Sequence, residues 1–167
     1  QTAIHDITAL EFLEKNPECL IIYKTIHLNR WWKNLSSDWK KAIQKQMGAD
    51  TTSTRENFHK IVELEKFRVE SILINDLSGL NEFVRLKELY LSGTNISSFP
   101  VLDNLKSLKV LHATNGPLQY IEAFNQLDNL EELNISNTPV DDIRAIESLA
   151  NLKIFNCSGT QVKKLTT

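Results

Sequence analysis

The chain has 167 residues, with 41% hydrophobic side chains and 24% charged ones, so it suits one domain, or one domain with a small appendage, and can bury a core. Its 19 Lys+Arg against 21 Asp+Glu give a net charge of −2, which argues against a dedicated nucleic-acid or membrane-surface binder; no apolar run is long enough for membrane insertion either. The two cysteines, Cys19 and Cys157, lie far apart with no CxxC, which argues against a disulfide framework and against a zinc site built on cysteine pairs.

The N-terminal part carries helix signals. Residues 3–15 place Ile4, Ile7, Leu10, Phe12 and Leu13 near helical spacing, and Asn16–Pro17 stops the run. A second helix is expected over Glu18–Asn34, with Cys19 or Leu20, Tyr23, Ile26 or His27 and Trp31 again at helical spacing. Its β-branched content leaves a strand possible there. Ser36 or Ser37 caps a third helix, SSDWKKAIQKQ, and Gly48 ends it. Residues 49–53 read as a loop. Thr54 caps a fourth helix, RENFHKIVELE, with Phe58, Ile61, Val62 and Leu64 or Glu65 on its inner side. Trp31, Trp32 and Trp39 read as an aromatic core between helices. Trp31 and Trp32 point about 100° apart on a helix, so one is expected to stay partly exposed and could serve as a docking patch.

From Leu64 onward a different pattern begins. Leu86, Leu108, Leu130 and Leu152 open successive units at a constant spacing of 22 residues. Within the units, Leu89, Leu111, Leu133 and Phe155 form one apolar column, and Leu91, Ala113, Ile135 and Cys157 the next. Further columns follow at Ile96, Leu118, Val140 and Val162; at Phe99, Ile121, Ile143 and Leu165; at Leu102, Phe124 and Ile146; and at Leu105, Leu127 and Leu149. Stepping back once more yields a less regular first unit from Leu64, with Phe67 and Val69 as its strand. A rival register would put that strand at Ile72–Ile74; the unbroken period is preferred. LxxLxL alternates as a strand does, and the later spacing of three fits tight 3₁₀-like turns. No coil can bury its own leucines, so the coils stack into a parallel sheet over a shared core.

These units resemble the leucine-rich repeat family in its 22-residue class, over residues 64–167. The WKKA run at Trp39–Ala42 further resembles bacterial repeat proteins with a small helical start. The implied fold class is an α/β repeat solenoid. It consists of a helical N-terminal cap, residues 1–63, and a right-handed solenoid, residues 64–167, of about four and a half coils with a parallel concave sheet. The cap would cover the leucines of the first coil. One departure concerns the asparagine that the family places after LxxLxL: here stand Thr94, Gly116, Thr138 and Thr160. Threonine can bond backbone locally, but Gly116 offers nothing, so its turn is expected to be irregular, with Asn115 slipping in.

No catalytic constellation emerges. His5, His27, His59 and His112 form no HExxH and no ligand pair, and no phosphate-binding glycine loop is present. Glu131–Glu132 and Asp141–Asp142 read as solvated charges. Cys157 falls in an inward column and is expected to be packed and inert; Cys19, on an expected helix, could go either way, with the core favoured. No enzyme activity, cofactor or metal is therefore expected.

The expected function is protein or peptide binding through the concave face. Strand alternation turns the residues between the leucines outward. The expected contacts are Arg68, Glu88, Tyr90, His112, Glu132, Asn134 and Asn156. They sit in outward rows with Lys66, Glu70, Ser92, Val110, Thr114, Ser136, Ile154 and Ser158. A polar, lightly aromatic track suits an extended partner. The alternative is a structural role. TQVKKLTT stops inside a repeat with no polar cap, so either the chain is a piece of a longer protein or its last coil self-associates. Unpaired thiols lean weakly toward the cytoplasm; a cell-surface or secreted location after signal removal stays open.

Overall fold

The computed structural model describes residues 6–17, 19, 21, 25–48, 54–71, 73–100 and 103–163. The expectations placed on Ile4, Leu20, Tyr23, the 49–53 loop, Ile72, Leu102 and Leu165 lie outside the described residues. The chain divides into two compact units, Gln1–Leu64 and Glu65–Thr167.

The first unit is helical: α1 is Asp6–Lys15, α2 Thr25–Asn34, α3 Ser37–Met47 and α4 Arg55–Val62. Ser36, not Ser37, caps α3; its hydroxyl accepts from the Trp39 amide at 3.2 Å, and Gly48 leaves the helix at φ +85°. Thr54 caps α4 by accepting from the Asn57 amide at 3.2 Å. The second helix is shorter than its sequence pattern suggested. It begins at Thr25, and Cys19 and Ile21 lie outside any helix. Pro17 and the β-branched residues after it weaken helix formation there. Cys19 is consequently exposed, not in the core.

Trp31 and Trp32 are both buried, at 8% exposure each, and Trp39 completely so. The expectation that one of the adjacent pair would show is therefore corrected. Two neighbouring faces of α2 are covered because α2 packs on α4. Trp32 lies 5.5 Å from the Phe58 ring and 6.2 Å from Trp31. With Leu28, Leu35, Ile43, Ile61 and Val62 these rings make the core of the unit, which removes the docking-patch reading.

The second unit is one parallel sheet in chain order: β1 Lys66–Val69, β2 Glu88–Ser92, β3 Val110–Thr114, β4 Glu132–Asn134 and β5 Ile154–Asn156. Its register follows the sequence period, with Lys66 beside Glu88, Val110, Glu132 and Ile154 in turn. The first strand is thus Lys66–Val69 and not the rival Ile72–Ile74. The return path of each complete coil contains a 3₁₀ turn, at Ser78–Leu80, Asp103–Leu105, Glu122–Gln126 and Arg144–Ser148, as a spacing of three requires. Leu86, Leu108 and Leu130 are fully buried, as are Leu89, Leu111 and Leu133 beside them. In the last described coil the same columns are only half-buried, at Leu152, Phe155, Cys157 and Val162. Cys157 is therefore not the packed core residue expected. Each coil is covered by its neighbours on both sides, and no further described coil lies beyond this one.

The turns after the strands repeat too. Gly93, Asn115, Asn137 and Gly159 all hold the left-handed conformation, with φ between +55° and +70°, which only glycine and asparagine adopt at small cost. Asn115 keeps the turn before Gly116 in step with this series, contrary to the expected irregularity; Gly116 itself follows in the Thr94, Thr138 and Thr160 column. Its missing side chain is required, because a Cβ there would sit 2.7 Å from the Thr94 carbonyl oxygen. In the same column the Thr138 and Thr160 hydroxyls donate to the carbonyls of Ile135 and Cys157, at 2.6 and 2.7 Å. Asn115 does not replace such a bond. Its amide donates to the Thr114 hydroxyl at 3.1 Å and accepts from the Asn137 amide at 3.0 Å.

Candidate functional site

Alternation along the strands buries one face of the sheet and turns the other to solvent. The parallel register then lines up the outward residues across the strands. The central row reads Arg68, Tyr90, His112, Asn134, Asn156. The row at the strand starts reads Lys66, Glu88, Val110, Glu132, Ile154.

Five of the expected contact residues are drawn into one network. Lys66 Nζ lies 2.6 Å from Glu88 Oε2, and the Tyr90 hydroxyl donates to the same oxygen at 2.9 Å. The Arg68 guanidinium stands 4.3 Å from the centre of the Tyr90 ring, a cation–π contact. The His112 ring meets Tyr90 edge-on at 4.8 Å, and its Nε2 lies 2.7 Å from Glu132 Oε1. Arg68 also reaches Glu70 at 3.4 Å.

The electrostatics follow from these contacts. The Lys66 ammonium, helped by the Tyr90 hydroxyl, holds the Glu88 carboxyl below its usual range. Glu88 in turn holds Lys66 above its ordinary value. Desolvation, and then the bond to Glu88, pushes the Tyr90 hydroxyl up. The Lys66 and Glu88 charges are therefore held in place and compensate one another within the face. A histidine on a carboxylate can begin a proton relay. Here the neighbouring Tyr90 hydroxyl is bonded to Glu88 and not to His112.

Asn134 and Asn156 stand side by side but outside that network. Each bonds its own chain: the amides of Ser136 and Ser158 donate to their Oδ1 atoms, both at 3.0 Å. Thr114 is on an outward position yet buried, its hydroxyl donating to that of Ser92 at 3.2 Å.

Two features escaped the sequence reading. An ion-pair column flanks the strand starts. Lys87 pairs with Glu65 at 2.9 Å, and Glu131 takes both Lys109 at 3.0 Å and Lys153 at 2.6 Å. Lys153 and then Lys109 lower the Glu131 carboxyl to about 2. A hollow of about 330 Å³ lies against this column and reaches Val110 and Ile154. Asparagines just before the strands also clasp the preceding coil: Asn129 donates to the Lys106 carbonyl and Asn151 to the Asp128 carbonyl, both at 2.8 Å. The recurring Asn-Leu at 129–130 and 151–152 was their visible signal.

Among described residues no group of histidine, cysteine and carboxylate side chains is placed to hold a metal ion. No helix there is long and apolar enough to cross a membrane.

Residues 37–160 match the family model described as the leucine-rich-repeat (LRR) domain of the endo-β-N-acetylglucosaminidase EndoS. No curated protein sequence matches the chain. Among solved structures, an LRR protein of Leptospira interrogans is similar at 26% identity and a TM-score of 0.50, over 54% of this chain and 24% of that one. Internalin C2 of Listeria monocytogenes matches at 23% identity and a TM-score of 0.60, over 64% and 47% of the two chains. Another internalin of that organism (inlF) matches at 20% and 0.58, over 77% and 45%. The chain thus spans less than half the length of each of these neighbours.

Proposed function

The chain belongs to the family of the EndoS leucine-rich-repeat domain, and from that premise we propose that it is a non-enzymatic recognition module that grips a protein or peptide on the solvent face of its sheet. Repeat domains of this kind are typically binding modules, because stacked coils present an extended surface. The glycosidase activity in the family's name is that enzyme's own; the segment matched is its repeat domain.

One observation carries the reading. Arg68, Tyr90 and His112 form a continuous stack across three strands, tied down by Glu88 and Glu132. Side chains already held in place lose less freedom when a partner arrives. Aromatic and arginine side chains are also the types that most often anchor interfaces. Affinity capture with the wild-type chain and with a Tyr90→Ala/His112→Ala variant tests this. A specific partner retained by the first and lost by the second is expected. Equal retention by both, with the fold intact by circular dichroism, removes the face as the contact surface.

A second reading has its own support. The core columns of the last described coil are half-buried where earlier coils hide them fully. A following coil or a second copy would cover them, giving the chain a structural role. Light scattering across a concentration series separates the readings: a mass that stays at 19.1 kDa speaks against self-association.

A further inference from the structure

Asn134 and Asn156 differ from the other face residues in how they are held. They are register partners on β4 and β5. The same turn fixes both, with the amide of the serine two residues on donating to Oδ1 at 3.0 Å. Because that partner is an N–H, the accepting atom must be the amide oxygen, which leaves the NH2 group as the free end. Neither NH2 group donates to any described residue.

Strand spacing then sets the geometry. Neighbouring strands lie about 4.8 Å apart, and identical side chains in identical turns repeat at that interval. A carbonyl oxygen carries two in-plane lone pairs about 120° apart. Two N–H donors, each about 2.9 Å from it, therefore stand about 5 Å from one another. The asparagine pair matches one carbonyl oxygen taken from both sides.

Charge selects the kind of carbonyl. Glu132 lies two residues before Asn134 on the same face, so an anionic oxygen would be repelled. The cations of the face are engaged as well: Lys66 by Glu88 and Arg68 by Glu70. A neutral acceptor fits. Beside it Ile154, two residues before Asn156, is 56% exposed and offers apolar surface to an adjoining side chain.

We propose that Asn134 and Asn156 form a two-pronged amide clamp for one backbone carbonyl of an uncharged, extended peptide segment whose neighbouring apolar side chain covers Ile154. The proposal rests on the peptide-binding reading above and narrows it to a chemical class of partner. It also assigns the two ends of the central row different tasks. The Arg68–Tyr90–His112 stack is a rigid wall, and the asparagines read the backbone.

The test uses a defined probe. A displayed library of random linear dodecapeptides is selected on the wild-type chain. The enriched peptide is synthesised and titrated against wild type, Asn134→Asp/Asn156→Asp and Tyr90→Ala/His112→Ala. Aspartate keeps the acceptor for each serine amide and the shape, but turns each free donor into an acceptor. An uncharged peptide is expected, with affinity nearly independent of salt. The double aspartate variant is expected to bind on the order of tenfold more weakly or worse.

If that variant binds as well as wild type while Tyr90→Ala/His112→Ala binds weakly, the clamp is overturned and the face reading stands. Enrichment of acidic peptides whose binding collapses with salt overturns the neutral-carbonyl assignment. No enrichment above a blank surface overturns the peptide-binding reading and the clamp with it. Should the double variant lose its cooperative melt, Asn156→Asp alone replaces it. Weaker binding is again expected, and unchanged binding is again decisive against the clamp.

Discussion

Gly93 and Gly116 follow neighbouring strands, yet their side chains are missing for different reasons. Gly93 sits at φ +62° with nothing within 4 Å of a would-be Cβ, so only backbone strain opposes substitution. Asparagine already holds the equivalent left-handed position at 115 and 137. Gly93→Asn is therefore expected to change stability by less than about 0.5 kcal/mol, since asparagine tolerates this conformation and the space is open. Gly116 is constrained by contact instead. A Cβ there would come within 2.7 Å of the Thr94 carbonyl oxygen, and a backbone atom cannot swing aside as a flexible side chain can. Gly116→Ala is expected to cost about 1–3 kcal/mol, in the range of overpacking substitutions. Urea melts of the two variants against wild type check both values. A larger loss for Gly93→Asn than for Gly116→Ala would show that dihedral strain, not close approach, governs these turns.

The strands and 3₁₀ turns were legible as elements because one apolar column every 22 residues fixes both register and face. The outward row was legible for the same reason: once Leu89 and Leu91 point in, Glu88 and Tyr90 must point out. What joins the outward residues was not. The Arg68–Tyr90 stack and the His112–Glu132 bond link neighbouring coils, about 22 residues apart in sequence, and periodicity is silent about which rotamers meet. The helical unit was harder still. With no repeat to average over, the burial of Trp31 and Trp32 depended on packing against α4.

The flanking ion column yields a prediction at this scale. Lysines 153 and 109 lower the Glu131 carboxyl to about 2 from its ordinary 4.5. A folded value below the unfolded one means the column's contribution is complete above about 4.5 and is lost as pH falls through about 2. Exposed pairs like these are also screened by salt. Wild type is expected to lose more thermal stability than Glu131→Gln between pH 5 and pH 2, and the gap is expected to shrink at high salt. Parallel melting curves for the two proteins would contradict the assignment.

At the scale of the molecule, the repeat unit behaves as a stack in which each coil is held by its neighbours rather than by itself. Burial shows this directly. Leu86, Leu108 and Leu130 are fully hidden, whereas Leu152, in the same column, is only half-buried. The asparagine clasps act in the same direction, each tying a strand start to the coil before it. Chemically identical truncations should therefore differ by position along the stack. Leu130→Ala removes a side chain packed on both sides and is expected to cost about 2–5 kcal/mol, with transfer and cavity terms adding. Leu152→Ala gives up less buried area and leaves a hollow that water can enter, so about 1–2 kcal/mol is expected. Chemical denaturation of both variants, followed by far-UV circular dichroism, measures the difference. Equal losses would mean that the last described coil is covered in solution as fully as the interior ones. That result would favour the self-association reading over a free-standing recognition surface.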